Sequence, residues 1–341
     1  MDKAPLIRVP ANPIPDGFDT QYIDARDGAR LRLASWRHPS PKAAILVHPG
    51  WSEFIEKYVE VAKDLHARGF SVFILDPRGQ GYSQRYEKGD NRGLIRNFVQ
   101  FQDDLEVAYQ TMRANHEGPY FVMAHSMGGL ITLEWLARGD GADATGVTLV
   151  APLTRLFGDP VKRVLVHAVT RLFIVLGLGK RHLSAAPEHS MNFETTTLTQ
   201  DRQRHDRFQA LQTIAPEARA GSPRFSWLYA AMGGMRRVNR QGALARIKAP
   251  VLLVSNDWDE TVDPKSHRRL AGMYPDLFDF VRVEDARHEV LMEKDEYRDQ
   301  FWTAFDRYVA GRLSEVPKMK CPPDVSSASP ESTKSKSTSA I

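Results

Sequence analysis

Short apolar runs alternate with longer amphipathic stretches through two parts of this 341-residue chain. The apolar runs predict buried strands at Ala43–Val47, Phe70–Leu75, Tyr120–Ala124, Gly146–Val150, Val251–Ser255 and Phe280–Val283. The amphipathic stretches predict helices at Glu53–Arg68, Phe98–His116, Gly128–Ala137, Pro264–Met273 and Tyr297–Arg312. Strands and helices in this order form a mostly parallel sheet with helices on both faces. The pattern therefore predicts an α/β fold, preceded by a strand hairpin over Phe18–Arg37.

The alternation of strands and helices stops at Pro152 and restarts at Ala249. Residues 153–248 contain apolar helical stretches and no predicted strand, which indicates a helical cap inserted between two late strands of one sheet. The predicted organisation is an extended arm over 1–17, a core over 18–152 and 249–314, the cap over 153–248, and a tail over 315–341. The tail is rich in Ser, Pro, Lys and Thr. It is predicted to be disordered because it buries too little apolar surface to offset its ordering entropy.

Composition excludes several classes of protein. The single cysteine, Cys321, rules out a disulfide framework and a multi-cysteine zinc site. The 46 basic and 42 acidic residues give a net charge of only +4, which does not indicate a nucleic-acid partner. No sustained apolar stretch follows Met1, and the longest apolar run, Val164–Leu178, falls short of the ~20 residues of a spanning helix. We therefore expect a cytoplasmic protein.

The residues around position 126 carry the clearest chemical signal. A predicted strand ends there, Ser126 follows with the small residues Ala124 and Gly128 two positions away on each side, and a helix begins. A serine in such a sharp turn is a typical nucleophile, and only small neighbours let strand and helix approach so closely. We therefore predict that Ser126 is a nucleophile; an ordinary strand–turn–helix junction is the alternative. The adjacent His125 side chain is expected to point away from it.

A nucleophilic serine needs a base, and the base needs an orienting carboxylate, in the chain order Ser, Asp or Glu, His. Two late loops supply them at the carboxyl ends of predicted strands, where open parallel sheets place their sites. His288 follows the last strand and is the predicted base. Asp257 and Asp259 follow the strand before it, and either can be the acid. The alternative for each aspartate is a carboxylate that caps a turn.

Two backbone amides are predicted to stabilise the oxyanion that forms when a serine attacks a carbonyl. One belongs to Met127, directly after Ser126, at a helix N-terminus whose dipole favours negative charge. The other belongs to Trp51, in the loop after an early strand. A glycine-containing loop at 76–83 lacks the third glycine of a dinucleotide site, so no cofactor is expected.

With these residues assembled, the chain resembles the α/β-hydrolase superfamily, and within it the bacterial lysophospholipase and monoacylglycerol lipase branch. The resemblance covers roughly residues 18–312. It rests on the motifs Pro49–Glu53, Asp76–Ser83 and Ala124–Gly129 and on the two late loops. The family's pattern of two aspartates separated by three residues matches Asp259 and Asp263, so the resemblance implies that Asp259 is the acid. Two departures are Ala124 in place of glycine and Pro49 where a histidine is common, and Trp51 is bulkier than the family's frequent small residue.

The resemblance implies a serine carboxylic-ester hydrolase that releases a fatty acid from a single-chain lipid ester through an acyl-enzyme. One alternative is another serine hydrolase of the same fold, such as a short-chain esterase or an aminopeptidase. A second alternative is a catalytically silent lipid-binding protein.

Charge is distributed unevenly along the chain. The predicted cap carries 16 basic and 6 acidic residues, so its net charge is +10 and that of the remaining chain is −6. A cationic and partly apolar cap suits an anionic lipid surface or a phosphate-bearing amphiphile. Arginines that simply face solvent are the alternative. We therefore expect a lipid ester substrate and peripheral contact of the cap with the inner face of the membrane.

Overall fold

The computed structural model describes residues 2–86, 95, 97–181 and 192–316. Most of the predicted tail, with Cys321, lies outside the described residues. The first tail position, Glu315, is an exception because it ends the closing helix. The predicted arm contacts the core: Ile7 and Val9 are buried, and the Ile7 amide donates to Glu56 Oε1 at 2.9 Å.

One eight-stranded sheet forms the centre of the molecule. Its strands are β1 (Phe18–Asp24), β2 (Arg30–Trp36), β3 (Ala43–His48), β4 (Phe70–Leu75), β5 (Tyr120–His125), β6 (Gly146–Val150), β7 (Val251–Asn256) and β8 (Phe278–Val283). The order across the sheet is β1-β2-β4-β3-β5-β6-β7-β8. The pairs β1–β2 and β2–β4 are antiparallel, and the others are parallel. Strands β3, β4 and β6 are mostly apolar and are buried along their whole length because helices cover both of their faces.

Eight α-helices accompany the sheet in the described part of the chain. They are α1 (Val59–Ala67), α2 (Val99–Ala114), α3 (Met127–Arg138), α4 (Pro160–Val175), α5 (Arg202–Ile214), α6 (Phe225–Val238), α7 (Pro264–Met273) and α8 (Asp295–Glu315). Helix α1 begins later than predicted, after a 3-10 turn at Ile55–Tyr58. The carboxylate of Asp76 accepts a hydrogen bond from the Ile55 amide at 2.8 Å, and this contact holds the turn against β4.

The core is divided between the two faces of the sheet. On one face, α2, α3, α6 and α7 cover a cluster that includes Leu105, Leu130 and Trp135. On the other face, α1 and α8 cover a cluster that includes Tyr58, Phe121 and Phe305. The predicted fold class, a mostly parallel sheet with helices on both faces, is confirmed.

The block between β6 and β7 is helical, and no strand occurs in its described residues, 153–181 and 192–248. Its α6 packs closely on α3, since a Cβ added at Gly234 would lie 2.9 Å from Glu134 Oε2. Its α4 packs on α6 and leaves apolar side chains on the surface. No helix in the described part of the chain is long and apolar enough to cross a membrane.

Arginines of the helical block form ion pairs with core carboxylates. Arg204 Nη2 on α5 lies 2.7 Å from Glu60 Oε1 on α1, and Arg207 pairs with the same carboxylate. On α6, Arg237 pairs with Glu134 of α3. Part of the block's excess positive charge therefore faces the core rather than solvent.

Replacing Glu60 should loosen the helical block. Burial alone would raise the pKa of Glu60, but hydrogen bonds from Arg204 and Arg207 and the charge of Arg298 lower it to about 2. A carboxylate with a lowered pKa stabilises the fold above its unfolded pKa, about 4.5, and this contribution disappears as the pH falls through the folded pKa. We expect Glu60→Gln to reduce the free energy of unfolding by about 2 kcal/mol at pH 7.

Thermal unfolding of the wild type and the Glu60→Gln variant between pH 7 and pH 2 measures this effect. The difference in Tm should shrink as the pH falls from 4.5 towards 2. The matched control is Asp299→Asn, since Asp299 is exposed on α8 and forms no recorded bond with the described residues. Equal Tm values for Glu60→Gln and wild type at pH 7 would contradict the prediction.

Candidate active site

Ser126 lies in a sharp turn between β5 and α3. Its φ of 50° and ψ of −114° are unusual for a residue other than glycine, so the backbone is strained there. Hydrogen bonds hold the turn: the Ser126 amide donates to the Val150 carbonyl at 3.0 Å, and the Leu153 amide donates to the Ser126 carbonyl at 2.8 Å. The turn places the Ser126 side chain at the carboxyl end of the sheet.

The small residues around Ser126 allow α3 to approach the neighbouring strand. A Cβ added at Gly128 would lie 2.4 Å from the His48 carbonyl oxygen and 2.6 Å from that of Pro49. Ala124, on the other side of the turn, is fully buried. The sequence pattern around position 126 therefore follows from this close contact between α3 and the end of β3.

Gly128→Ala should displace the turn that carries Ser126. The added methyl group meets backbone atoms, which cannot move aside as a flexible side chain can. Overpacking of this kind costs about 1–3 kcal/mol, and we expect a lower Tm together with loss of most hydrolytic activity. The control is Gly272→Ala on α7, where an added Cβ meets nothing within 4 Å. If Gly128→Ala matches Gly272→Ala in Tm and activity, the close contact is not required.

Ser126, His288 and Asp259 are joined by a continuous chain of hydrogen bonds. Ser126 Oγ lies 2.9 Å from His288 Nε2, and His288 Nδ1 lies 2.7 Å from Asp259 Oδ2. All three residues are buried, with exposures of 7%, 3% and 2% respectively. The structure therefore brings together three of the side chains predicted from the sequence, although up to 162 residues separate them along the chain.

This geometry distinguishes between the two candidate acids, Asp257 and Asp259. The second carboxylate oxygen of Asp259 accepts hydrogen bonds from the Thr261 and Val262 amides, each at 2.8 Å. Burial would raise the pKa of Asp259, but the His288 ring and these amides lower it. Asp257 instead pairs with Arg282, whose Nε lies 3.0 Å from Asp257 Oδ1. Only one of the two aspartates, Asp259, contacts His288.

The two predicted oxyanion donors are backbone amides without a partner among the described residues. The amides of Trp51 and Met127 donate no recorded hydrogen bond to the described residues, and Met127 is the first residue of α3, where amides have no partner within the helix. Gln80 braces the Trp51 loop, because its side chain accepts from the Ser52 amide at 2.9 Å and donates to the Gly50 carbonyl at 2.8 Å.

A cavity of about 310 Å³ lies between Ser126 and the helical block. Its core side includes Trp51, Ser126 and His288. Its other wall comes from the helical block and combines polar, cationic and apolar side chains, among them Thr199, Arg204, Phe208, Gln212 and Arg219. Among the described residues, no group of three His, Cys, Asp or Glu side chains is arranged to hold a metal ion.

His125 lines this cavity, and its ring contacts Glu53 and the predicted base, His288, rather than solvent. Its ring centre lies 4.9 Å from that of His288, and its Nε2 lies 3.3 Å from the His288 carbonyl oxygen. Its Nδ1 lies 3.1 Å from Glu53 Oε2. The carboxylate of Glu53 draws the ring towards the cavity, which the sequence around Ser126 could not reveal.

A buried cluster of charged groups lies beside the hydrogen-bonded chain of Ser126, His288 and Asp259. Its members are Glu53, Lys57, His125 and Glu289. Lys57 Nζ lies 2.8 Å from Glu53 Oε1 and 2.6 Å from Glu289 Oε1. Burial disfavours every charge in the cluster, yet Lys57 and His125 together hold the pKa of Glu53 well below its usual value. The carboxylates in turn outweigh burial and raise the pKa values of Lys57 and His125. The charges of the cluster largely compensate one another.

Sequence reasoning missed this cluster. The spacing of Glu53 and Lys57 is that of an i, i+4 ion pair, and Glu289 directly follows the predicted base. Those two signals were available in the sequence. Contact between Lys57 and Glu289, 232 positions apart, depends on the order of strands in the sheet.

A short segment of the helical block braces the loop of His288. The Glu289 amide donates to the Leu198 carbonyl at 2.9 Å, and Thr199 Oγ1 donates to the Met292 carbonyl at 2.7 Å. The buried carboxylate of Glu293 accepts from the Gln200 amide at 2.9 Å. These contacts hold the helical block against the loop that carries His288.

Comparisons with known proteins agree with this architecture. A family model described as serine aminopeptidase, S33, matches residues 39–295. The chain is 28% identical to lysophospholipase L2 of Escherichia coli strain K12 over 290 residues, which cover 80% of this chain and 82% of that protein. It is 26% identical to monoglyceride lipase of Homo sapiens over 276 residues, which cover 80% of this chain and 84% of that protein.

Among solved structures, the fold is similar to that of a soluble variant of monoglyceride lipase from Saccharomyces cerevisiae in complex with a substrate analog. The TM-score is 0.73 at 18% identity, and the match covers 91% of this chain and 99% of that one. The resemblance drawn from the motifs and the assignment to hydrolytic enzymes are both confirmed. Since the family model spans about three quarters of the sequence, this chain belongs to the serine aminopeptidase S33 family of α/β-hydrolases.

Proposed function

We propose that this protein is a serine carboxylic-ester hydrolase that releases a fatty acid from a single-chain lipid ester, such as a lysophospholipid or a monoacylglycerol. The hydrogen-bonded arrangement of Ser126, His288 and Asp259 carries the proposal. The relatives named lysophospholipase L2 and monoglyceride lipase support this substrate class.

The proposed reaction proceeds in two acyl-transfer steps. His288 Nε2 takes the proton of Ser126 Oγ as that oxygen attacks the ester carbonyl. The amides of Trp51 and Met127 stabilise the resulting oxyanion, while Asp259 orients the His288 ring and stabilises its positive charge. His288 then protonates the leaving alcohol, which leaves the acyl group on Ser126. A water molecule, deprotonated by His288, attacks this acyl-enzyme and releases the fatty acid.

The cavity wall favours a lipid ester over a peptide with a free amino terminus. An aminopeptidase needs a carboxylate to bind the ammonium group of its substrate. The described lining residues from the helical block include no carboxylate, and of the two arginines among them, Arg204 pairs with Glu60. The core contributes Glu53 and Glu289, but both pair with Lys57. An ester with a hydroxyl-rich or phosphate-bearing head group is therefore the better match.

A substrate panel tests the proposal. The purified chain and its Ser126→Ala variant are incubated with palmitoyl esters that differ in head group: lysophosphatidylcholine, lysophosphatidylglycerol and monopalmitoylglycerol. An aminoacyl naphthylamide is the peptidase arm. We expect fatty acid release by the wild type alone and little amide cleavage. Faster cleavage of the amide would favour the aminopeptidase alternative. No reaction with any ester, combined with failure of a fluorophosphonate to label Ser126, would favour a silent lipid-binding protein.

We also propose that α4 rests on a lipid surface. Apolar side chains on this helix are 53–75% exposed: Val161, Val164, Leu165, Leu172 and Val175. Arg171, on the same helix, is exposed as well, which suits anionic lipid head groups. A helix with an exposed apolar face can lie in the plane of the membrane interface. This contact would keep the enzyme at the inner membrane face, where single-chain lipids partition.

Vesicle co-sedimentation tests this contact. Leu172→Asp should reduce binding to vesicles that contain phosphatidylglycerol, and added salt should weaken binding of the wild type. The control is Ile214→Asp, since Ile214 is 65% exposed on α5 and lies outside α4. Equal partitioning of the two variants, insensitive to salt, would contradict a role for α4.

A further inference from the structure

A second cavity, of about 470 Å³, lies between α4 and α6 where the helical block joins the core. It shares no described lining residue with the cavity over Ser126. Its apolar lining consists of Leu156, Pro160, Val164, Met232 and Met235. The volume is within the range of small-molecule sites, roughly 300–1,000 Å³.

Three arginines also line this cavity. Arg163 Nη1 lies 3.4 Å from Asp263 Oδ2, and Arg155 Nη1 lies 3.9 Å from the same oxygen. Arg236 is exposed and has no recorded hydrogen bond or ion pair with the described residues. The carboxylate of Asp263 also accepts a hydrogen bond from the Lys265 amide. Arg155 and Arg163 therefore share one carboxylate, Arg236 has none among the described residues, and a net positive charge remains at the cavity.

Two buried polar atoms at this cavity lack a partner among the described residues. They are His167 Nε2 and Asn239 Oδ1. Burying a polar atom without a hydrogen bond costs about 1–3 kcal/mol, which a ligand with polar atoms would offset. Burial and the charges of Arg236 and Arg171 lower the pKa of His167. Its ring is therefore neutral and can donate one hydrogen bond.

We propose that this cavity binds a free long-chain fatty acid, with its carboxylate at Arg236 and Arg163 and its chain against Val164, Met232 and Met235. The excess of cations over carboxylates selects an anionic head, and the predominantly apolar lining selects a hydrocarbon chain. The proposal goes beyond the proposed function and is tested on a variant that cannot hydrolyse esters.

Isothermal titration calorimetry on the full chain with Ser126→Ala measures the binding. The probes are laurate, dodecyl phosphate and dodecyltrimethylammonium, which share a twelve-carbon chain and differ in head group, each below its micellar concentration. We expect laurate to bind and the cationic probe to show no binding. Adding Arg236→Ala should weaken laurate binding about tenfold, as loss of one charge-assisted contact does. Arg236→Lys should retain part of the affinity.

The control for charge is Arg240→Ala, because Arg240 is exposed just beyond the end of α6 and does not line the cavity. A Tm equal to that of the parent shows that each variant is folded. Equal laurate affinity in Arg236→Ala and Arg240→Ala would overturn the proposal, since the fatty acid would then bind elsewhere. Tighter binding of dodecyl phosphate than of laurate would overturn the fatty acid assignment in favour of a phosphate head group.

Discussion

Replacing Ser126 with alanine should lower kcat for a carboxylic ester by on the order of 10⁶, which is the cost of removing the nucleophile in well-studied serine hydrolases. The proposed acyl-enzyme forms on Ser126 Oγ, and neither His288 nor Asp259 can replace this oxygen as the nucleophile. The fold should survive, because alanine removes one hydroxyl, whose recorded hydrogen bond is to His288. We therefore expect an unchanged Tm.

Two measurements separate loss of the nucleophile from loss of structure. Steady-state hydrolysis of a soluble nitrophenyl ester gives kcat, and a fluorophosphonate probe reports covalent labelling of the nucleophile. The matched control is Ser52→Ala, since Ser52 also lines the cavity but donates its hydroxyl to the Ala220 carbonyl at 2.9 Å. Ser52→Ala should be labelled and Ser126→Ala should not. Normal turnover or labelling in Ser126→Ala would reject Ser126 as the nucleophile.

Local sequence patterns predicted the fold best where burial alone determines an element. Strands β4 and β6 have the predicted bounds because each is mostly apolar and is buried along its whole length. The prediction for β8 began two residues late, since Asp279 interrupts the apolar pattern of this half-exposed edge strand. Helix α1 was predicted too early, because the polar residues from Glu53 onward fit a helical period. In the structure the Glu53 carboxylate instead accepts a hydrogen bond from the Gly50 amide, and the Ile55 amide donates to Asp76.

The same distinction applies to the candidate site: residues that depend on local patterns could be predicted, and contacts between distant segments could not. Ser126, His288 and the amide of Met127 could be placed from strand ends and turns, because the carboxyl ends of parallel strands meet at one edge. The cluster around Lys57 depends on contacts between distant segments, and so does the direction of the His125 side chain. The net charge of the helical block was misleading for a related reason: Arg204 and Arg207 face a carboxylate of the core rather than solvent, and the half-exposed Arg237 pairs with Glu134.

The two aspartates near His288 offer the sharpest test of the proposed mechanism. Asp259→Asn should lower kcat by about 10⁴, because an amide at this position favours the wrong His288 tautomer and stabilises no positive charge on the ring. Asp257→Asn is the matched control, since the same substitution two residues away removes a partly exposed ion pair with Arg282. Such pairs contribute about 0–1 kcal/mol, so we expect its activity to be close to that of wild type.

Labelling by a fluorophosphonate gives a second readout of the same contrast. The lowered pKa of Asp259 keeps its carboxylate ionised at neutral pH, and Asp259→Asn removes this charge from its position 2.7 Å from the His288 ring. Labelling of Ser126 needs the ring as a base, so it should be slow in Asp259→Asn and close to the wild-type rate in Asp257→Asn. If Asp257→Asn were the slower enzyme, or if both variants kept full activity, the orienting acid would have to be sought outside this loop.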